Sequence, residues 1–372
     1  MRAFSHIDWW LLSAALLVTT AGIVTMNSFS GENYFFENQL IWMALSVALF
    51  LFLSVLDLRF LRRTNVVVAL YVAVVALLVL VFFFGEVVKG AQSRFDLGAF
   101  ALQPSDPAKL ALILILAKYF TRRHIEIAHI RHILVSGAYA LILFALIFLQ
   151  PDFGSALIIF SIWLGMVLIA GISKKHLAGL LLVVAVVGVG LWNFGLADYQ
   201  KDRIVTFLHP LADIQGAGYN AYQSTIAVGS GEILGKGVGY GTQSKLAFLP
   251  EYQTDFIFAA FAEEWGFLGV LSLFALYGII FWRIIKNAVY GETNFEVLFS
   301  AGVAVFFFAH FVIHIGMNMG LLPVTGTTIP FMSYGGSHLL TEFMALGIIT
   351  AMSRYRRTVH RDLIKESDIV LE

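Results

Sequence analysis

Phe248-Leu249-Pro250-Glu251-Tyr252-Gln253-Thr254-Asp255 ends a polar tract, residues 197–255, and runs directly into Phe256-Ile257-Phe258-Ala259-Ala260-Phe261. A long polar tract between apolar runs marks a chain that leaves a membrane and re-enters it. The composition supports that frame. Of 372 residues, 59% are hydrophobic and 13% charged, with mean hydropathy +0.83. A soluble domain carries about 25% charged residues, so a soluble globular domain is excluded. Cysteine is absent, which excludes a disulfide framework and a thiolate metal site. Carboxylate and His-only metal sites stay open.

Apolar runs that match, or nearly match, a ~30 Å hydrocarbon core lie at 9–28, 35–56, 65–85, 106–120, 132–149, 153–171, 177–196, 256–282, 295–317 and 338–352. The expected fold is therefore an all-α polytopic membrane protein of about ten transmembrane helices, one domain over 1–372. The fourth and tenth runs are short and begin beside Pro, Gly or Ser, which makes partly re-entrant segments an alternative there. Charge sets the orientation. Arg2, Arg59, Arg62, Arg63, Lys118, Arg122, Arg123, Arg131, Lys174, Lys175, Arg283, Lys286, Arg354, Arg356, Arg357, Arg361 and Lys365 fall on one side. The other side has Lys89, Arg94, Lys201, Arg203, Lys236 and Lys245, and Lys109 lies inside the fourth run. By the positive-inside rule both termini and the tail 353–372 are cytoplasmic. Residues 197–255 then form a large extracytoplasmic loop between spans 7 and 8. The first run is too long for a signal-peptide core and lacks a small-residue cleavage pattern, so it reads as an anchor.

Several polar residues at the outer ends of spans admit two readings. Asp255 sits at the lip of a span, where desolvation raises a carboxylate toward the pKa a general base needs; it and Thr254 are equally good helix N-caps. Glu263 and Glu264 lie one turn inside, facing a bundle interior or a hydrated cavity, with an ion pair to a neighbouring span as the structural alternative. Lys109 is the one cation assigned to a span. Asp152, in Gln150-Pro151-Asp152-Phe153-Gly154, can cap its own span. Gly229-Ser230-Gly231 and Gly235-Lys236-Gly237, followed by Gly239 and Gly241-Thr242-Gln243, read either as flexible turns or as backbone amides cradling a phosphate beside Lys236. His314 and Asn318 share a helix face at i, i+4, a spacing that suits interhelical hydrogen bonding.

The motifs narrow these choices. Gln103-Pro104-Ser105-Asp106-Pro107-Ala108-Lys109 resembles QPSE-x-x-K, and Gln150-Pro151-Asp152-Phe153-Gly154-Ser155 resembles QPDLGT/S. Gly216-Ala217-Gly218-Tyr219, Gln223-Ser224, Phe248-Leu249-Pro250-Glu251, Thr254-Asp255-Phe256-Ile257-Phe258 and Glu263-Glu264 continue the match. It closes with Gly320-Leu321-Leu322-Pro323-Val324-Thr325-Gly326 and Pro330-Phe331-Met332-Ser333-Tyr334-Gly335-Gly336-Ser337. Together these are similar to the SEDS family (shape, elongation, division and sporulation), and Pro323-Val324-Thr325-Gly326 looks more like its RodA branch than its FtsW branch. The chain departs from the family pattern at Ser93-Arg94, where Arg-Trp is common, at His314, where Asn is common, and at Thr328, where Pro is common.

The resemblance implies a peptidoglycan glycosyltransferase that polymerises lipid II at the outer face of the bacterial cytoplasmic membrane, with a class B penicillin-binding protein as partner. Membrane lipids surround it, and no nucleic acid is expected. Asp255 becomes the catalytic carboxylate that takes the proton of the acceptor's 4-hydroxyl while undecaprenyl pyrophosphate leaves. Arg203, Lys236 and Lys109 are candidates for the pyrophosphate, with a divalent cation (Mg or Mn) as a substitute or addition. The motifs add Gln223, Glu251, Thr254, Asp152 and Ser333 to the substrate-binding set. Two rivals stand beside this reading: a lipid-linked precursor flippase or transporter, which also uses charged spans and Gly-broken helices, and a non-catalytic cell-wall scaffold, which has no need of Asp255.

Overall fold

The computed structural model describes residues 7–28, 34–88, 91–96, 98, 101–121, 130–209, 218–246, 248–249 and 251–369. Pro250, Gly216-Ala217 and the cations Arg2, Lys89, Arg122 and Arg123 lie outside the described residues. The chain begins with α1 (Trp9–Asn27), α2 (Tyr34–Val55) and α3 (Thr64–Phe84), followed by β1 (Glu86–Val88), β2 (Ala91–Asp96) and β3 (Ala101–Leu102). Next come α4 (Ser105–Thr121), α5 (Ile130–Leu149), α6 (Phe153–Ala170) and α7 (Lys174–Gly190). Three shorter helices, α8 (Asp198–Leu208), α9 (Tyr219–Ser230) and α10 (Thr242–Lys245), precede α11 (Ile257–Val289), α12 (Asn294–Asn318) and α13 (Gly336–Ile369). Each of the ten expected spans is a helix, and eight of the ten are long and apolar enough to cross a membrane. The other two are α4, at 17 residues, and α13.

Burial explains the two extremes among these helices. On α4, Ala108 and the run from Leu110 to Ala117 are buried on every face, because the helix packs against α3, α6, α12 and α13. A helix apolar all round is one buried all round. By contrast α7 has no buried residue and presents its Leu and Val side chains outward. Around α4, α1 packs on α11, α13 on α2, and α12 on both α11 and α6.

Three features differ from the sequence reading. The tract 197–255 is not a plain loop, since it folds α8, α9 and α10. A small antiparallel sheet crosses residues 86–102, pairing Glu86 with Arg94 and Phe95 with Leu102; strands of two to six residues are too short for their alternation to register in a sequence. The helix that carries the last apolar run does not end near residue 352 but continues through the charged tail to Ile369. In addition, α11 is broken at Gly266, whose φ of 63° and ψ of −166° lie outside the helical region.

Candidate active site

Asp255 sits on the turn that leads into α11. The Glu251 carbonyl accepts from the amides of Thr254, Asp255 and Phe256 at 3.1, 3.0 and 3.2 Å, which winds residues 251–256 into one tight turn. Glu251 itself takes a positive φ of 50°. The capping role open to Asp255 falls elsewhere: the N-cap position of α11 is Phe256, with no side-chain cap. Instead the carboxamide of Asn318 reaches over from the end of α12. Its Oδ1 accepts from the Ala259 amide at 3.2 Å, and its Nδ2 donates to the Asp255 carbonyl at 3.0 Å and the His314 carbonyl at 2.8 Å. Ser224 Oγ on α9 donates to the Asn318 carbonyl at 2.9 Å. The turn is held from its other side by Ser333, whose hydroxyl donates to the Thr254 carbonyl at 2.8 Å and accepts from the Ile329 amide at 3.0 Å.

These supports set Asp255 into the wall of a cavity of about 490 Å³. Thr254, Asp152 and Lys109 line the same space, so residues far apart in the chain converge there. Lys109 is 2% exposed and its Nζ lies 3.0 Å from Asp106 Oδ1, one turn earlier on α4. His338 of α13 extends the network, with Nδ1 3.5 Å from Asp106 and Nε2 2.8 Å from Glu342. A buried cation is expensive unless paired, and this chain of alternating charge meets that cost while leaving Lys109 on the cavity. Asp152 caps α6 through the Ser155 amide at 3.0 Å, and its second oxygen accepts from Gln103 Nε2 at 3.1 Å. It therefore caps its helix and lines the cavity at once. Gly326, with φ of 71°, brings bare backbone against Asp255: a Cβ there would lie 3.5 Å from Asp255 Oδ2.

Other expected site residues lie elsewhere. Lys236 Nζ is 2.7 Å from Glu263 Oε1 and 2.8 Å from Thr242 Oγ1, so in this structure its ammonium is paired with the protein's own carboxylate, and it does not line the cavity. Glu263 also accepts from the amides of Thr242 and Gln243 at 2.8 and 3.1 Å, and Glu264 from the Gly239 amide at 2.8 Å. The glycine-rich turns do cradle an anion, but it is the protein's own pair of carboxylates. Their partners come from residues 236–243 and, for Glu264, also from Ser28, and not from Lys109. Arg203 is exposed on α8 and Gln223 half-buried on α9, and neither lines the cavity. Ser333 is 1% exposed with its hydroxyl engaged on both sides, so it and Glu251 shape the turn from behind. Among the described residues no group of three or more His, Asp or Glu side chains is placed to hold a metal. Asp106 is paired with Lys109 and Asp152 caps its helix, while Asp255, Asp96 and Glu86 also line the cavity. His338 and Glu342 are additions. Their signal was readable as two ionisable residues at i, i+4 within the tenth span.

Fold and cavity together define a polytopic all-α membrane protein with a polar site sunk into one end of its bundle. The cell cycle protein family of FtsW, RodA and SpoVE matches the chain over residues 3–358, and the chain belongs to that family. It is 37% identical over 298 residues to the peptidoglycan glycosyltransferase MrdB of Escherichia coli K12, covering 79% of each chain. It is 31% identical over 432 aligned positions to the peptidoglycan glycosyltransferase RodA of Treponema pallidum, covering 95% of this chain and 99% of that one. Among solved structures, a chain from a peptidoglycan synthase complex that coordinates polymerization and crosslinking superposes with a TM-score of 0.80 at 30% identity, covering 94% and 98%. The rod shape determining protein RodA of Thermus thermophilus superposes with a TM-score of 0.71 at 28% identity, covering 94% and 97%.

Proposed function

We propose that this chain is a peptidoglycan glycosyltransferase of the RodA kind, which polymerises lipid II into β-1,4 glycan strands during elongation. The observation that carries the reading is the convergence of Asp255 and Lys109 on one cavity. The acceptor's 4-hydroxyl gives its proton to the Asp255 carboxylate and attacks the anomeric carbon of the lipid-linked donor. As that C–O bond forms, the bond to the diphosphate breaks, and undecaprenyl pyrophosphate leaves with the electron pair. Lys109 supplies positive charge for the departing diphosphate. Since that group leaves without protonation, one carboxylate suffices, and a single displacement inverts an α-linked donor to a β-linked product. A divalent cation at the cavity would add positive charge for the departing diphosphate, and no step above requires it.

The excess of cations at one end of the bundle supports a cytoplasmic position for that end and a position for the cavity at the outer face of the cytoplasmic membrane, where a class B penicillin-binding protein would crosslink the product. The neighbouring synthase complex supports such a partnership. A flippase would want its ionisable groups near the bilayer midplane, whereas Asp106, Asp152 and Asp255 each stand at a helix end. The test is direct: purified protein with its partner, given lipid II in detergent, should yield glycan strands on a gel. Lipid II moved across a vesicle membrane without any polymer formed would replace this reading with the flippase.

A further inference from the structure

One wall of the cavity is left without a role by the reaction just described. Tyr34, Asn38 and Trp42 of α2 line it together with Tyr334 and Arg94. Tyr34 is 62% exposed. Its ring meets Phe35 edge-on at 5.5 Å, and Phe35 meets Tyr334 in the same manner at 5.0 Å. The Tyr334 side chain is hydrogen-bonded to those of Asn38 and Tyr34, so phenol, carboxamide and guanidinium groups stand beside an open aromatic face. A diphosphate can use the guanidinium but not the aromatic face. A pyranose ring can use both, because its C–H face lies on an aromatic ring while its hydroxyls meet polar groups at the rim.

The wall is also fixed relative to the base. Gln39 donates to the Ser333 carbonyl at 3.1 Å and accepts from the Gly335 amide at 3.3 Å, tying α2 to the 333–336 segment. That segment is tied in turn to the turn carrying Asp255, through the Tyr334 amide on the Gln253 carbonyl at 2.8 Å and Ser333 on Thr254. Trp42 packs so closely on Gly336 that a Cβ there would sit 2.1 Å from its ring. A ligand seated on Tyr34 and Tyr334 is thereby held in register with Asp255.

We infer that the Tyr34–Tyr334 wall is a saccharide subsite that seats a sugar ring of the lipid-linked substrate beside Asp255, an inference that rests on the glycosyltransferase reading. The full chain in nanodiscs would be titrated with two probes, lipid II and sugar-free undecaprenyl pyrophosphate. For the wild type, lipid II should bind more tightly. Tyr34→Ala, which folds because that side chain is exposed, should weaken lipid II roughly tenfold and leave undecaprenyl pyrophosphate unchanged; Tyr34→Trp should restore lipid II binding. Equal weakening of both probes, or undiminished lipid II binding by Tyr34→Ala, overturns the subsite alone. A wild type that binds both probes equally overturns the glycosyltransferase reading as well.

Discussion

Helix initiation does not depend on the Asp255 side chain, because Asn318 caps α11 from a neighbouring helix. Chemistry and stability can therefore be separated by substitution. Asp255→Asn removes the base and keeps the shape, so polymerisation of lipid II should fall by ~10² to 10⁴ with the thermal midpoint unmoved; near wild-type polymer would remove Asp255 from the mechanism. Asn318→Ala acts in the opposite sense. It strands the buried Ala259 amide and the Asp255 carbonyl, at about 1–3 kcal/mol for each group left unpaired. Both the midpoint and the rate should drop, the second because the turn carrying Asp255 loses its hold on α12. An Asn318→Ala protein that melts normally would show that this carboxamide is replaceable by water.

Breaking α11 at Gly266 exposes backbone groups that must be satisfied inside the bundle. The segment after α9 fills the gap: Lys236 and Gly237 amides donate to the Glu263 and Glu264 carbonyls at 3.0 Å each, and the Phe267 amide donates to the Glu232 carbonyl at 2.8 Å. No side chain fits between the two backbones, since a Cβ on Gly266 would lie 2.2 Å from the Gly235 nitrogen. Gly266→Ala should therefore abolish a cooperative melting transition or reduce yield severely. Lys236→Ala should cost less than the ~3–5 kcal/mol of a fully buried broken pair, because Lys236 is 29% exposed and Glu263 keeps its amide donors. Affinity for undecaprenyl pyrophosphate should survive it, measured by titration; a lost affinity would put Lys236 in the pyrophosphate site. The sequence makes the helices legible because hydropathy is a local property, and each expected span coincides with one. It cannot make this inserted segment legible, because the partners that the segment gives Glu263 and Glu264 lie 20 to 27 residues away and glycine spacing alone reads equally as a phosphate loop. Within the site, Asp255, Lys109, Asp152 and Thr254 were readable from motifs. Tyr34 and Asn38 lie in no motif and Tyr334 carried no role within its motif, since only the packing of α2 against α13 brings them to the cavity.

For the molecule as a whole, the reaction requires the cavity to open on the face where lipid II is presented. Orientation rests on charge: seventeen Lys and Arg residues at one end of the spans against six at the other, a bias that the positive-inside rule assigns to the cytoplasm. The architecture makes the assignment sharply testable, because Asp152, Asp255 and the segment carrying α8 to α10 all share one end of the bundle, while Lys174, Lys175, Arg283 and Lys286 mark the other. The chain has no cysteine, so a single introduced thiol reports its own side without background. Asn220→Cys, at the start of α9, should react with a membrane-impermeant maleimide added to intact spheroplasts, and Thr358→Cys should react only after permeabilisation. The reverse pattern would put Asp255 on the cytoplasmic face, out of reach of a carrier delivered to the outer leaflet. No rearrangement of the site residues could rescue polymerisation at that leaflet, since the entire bundle would be inverted with them.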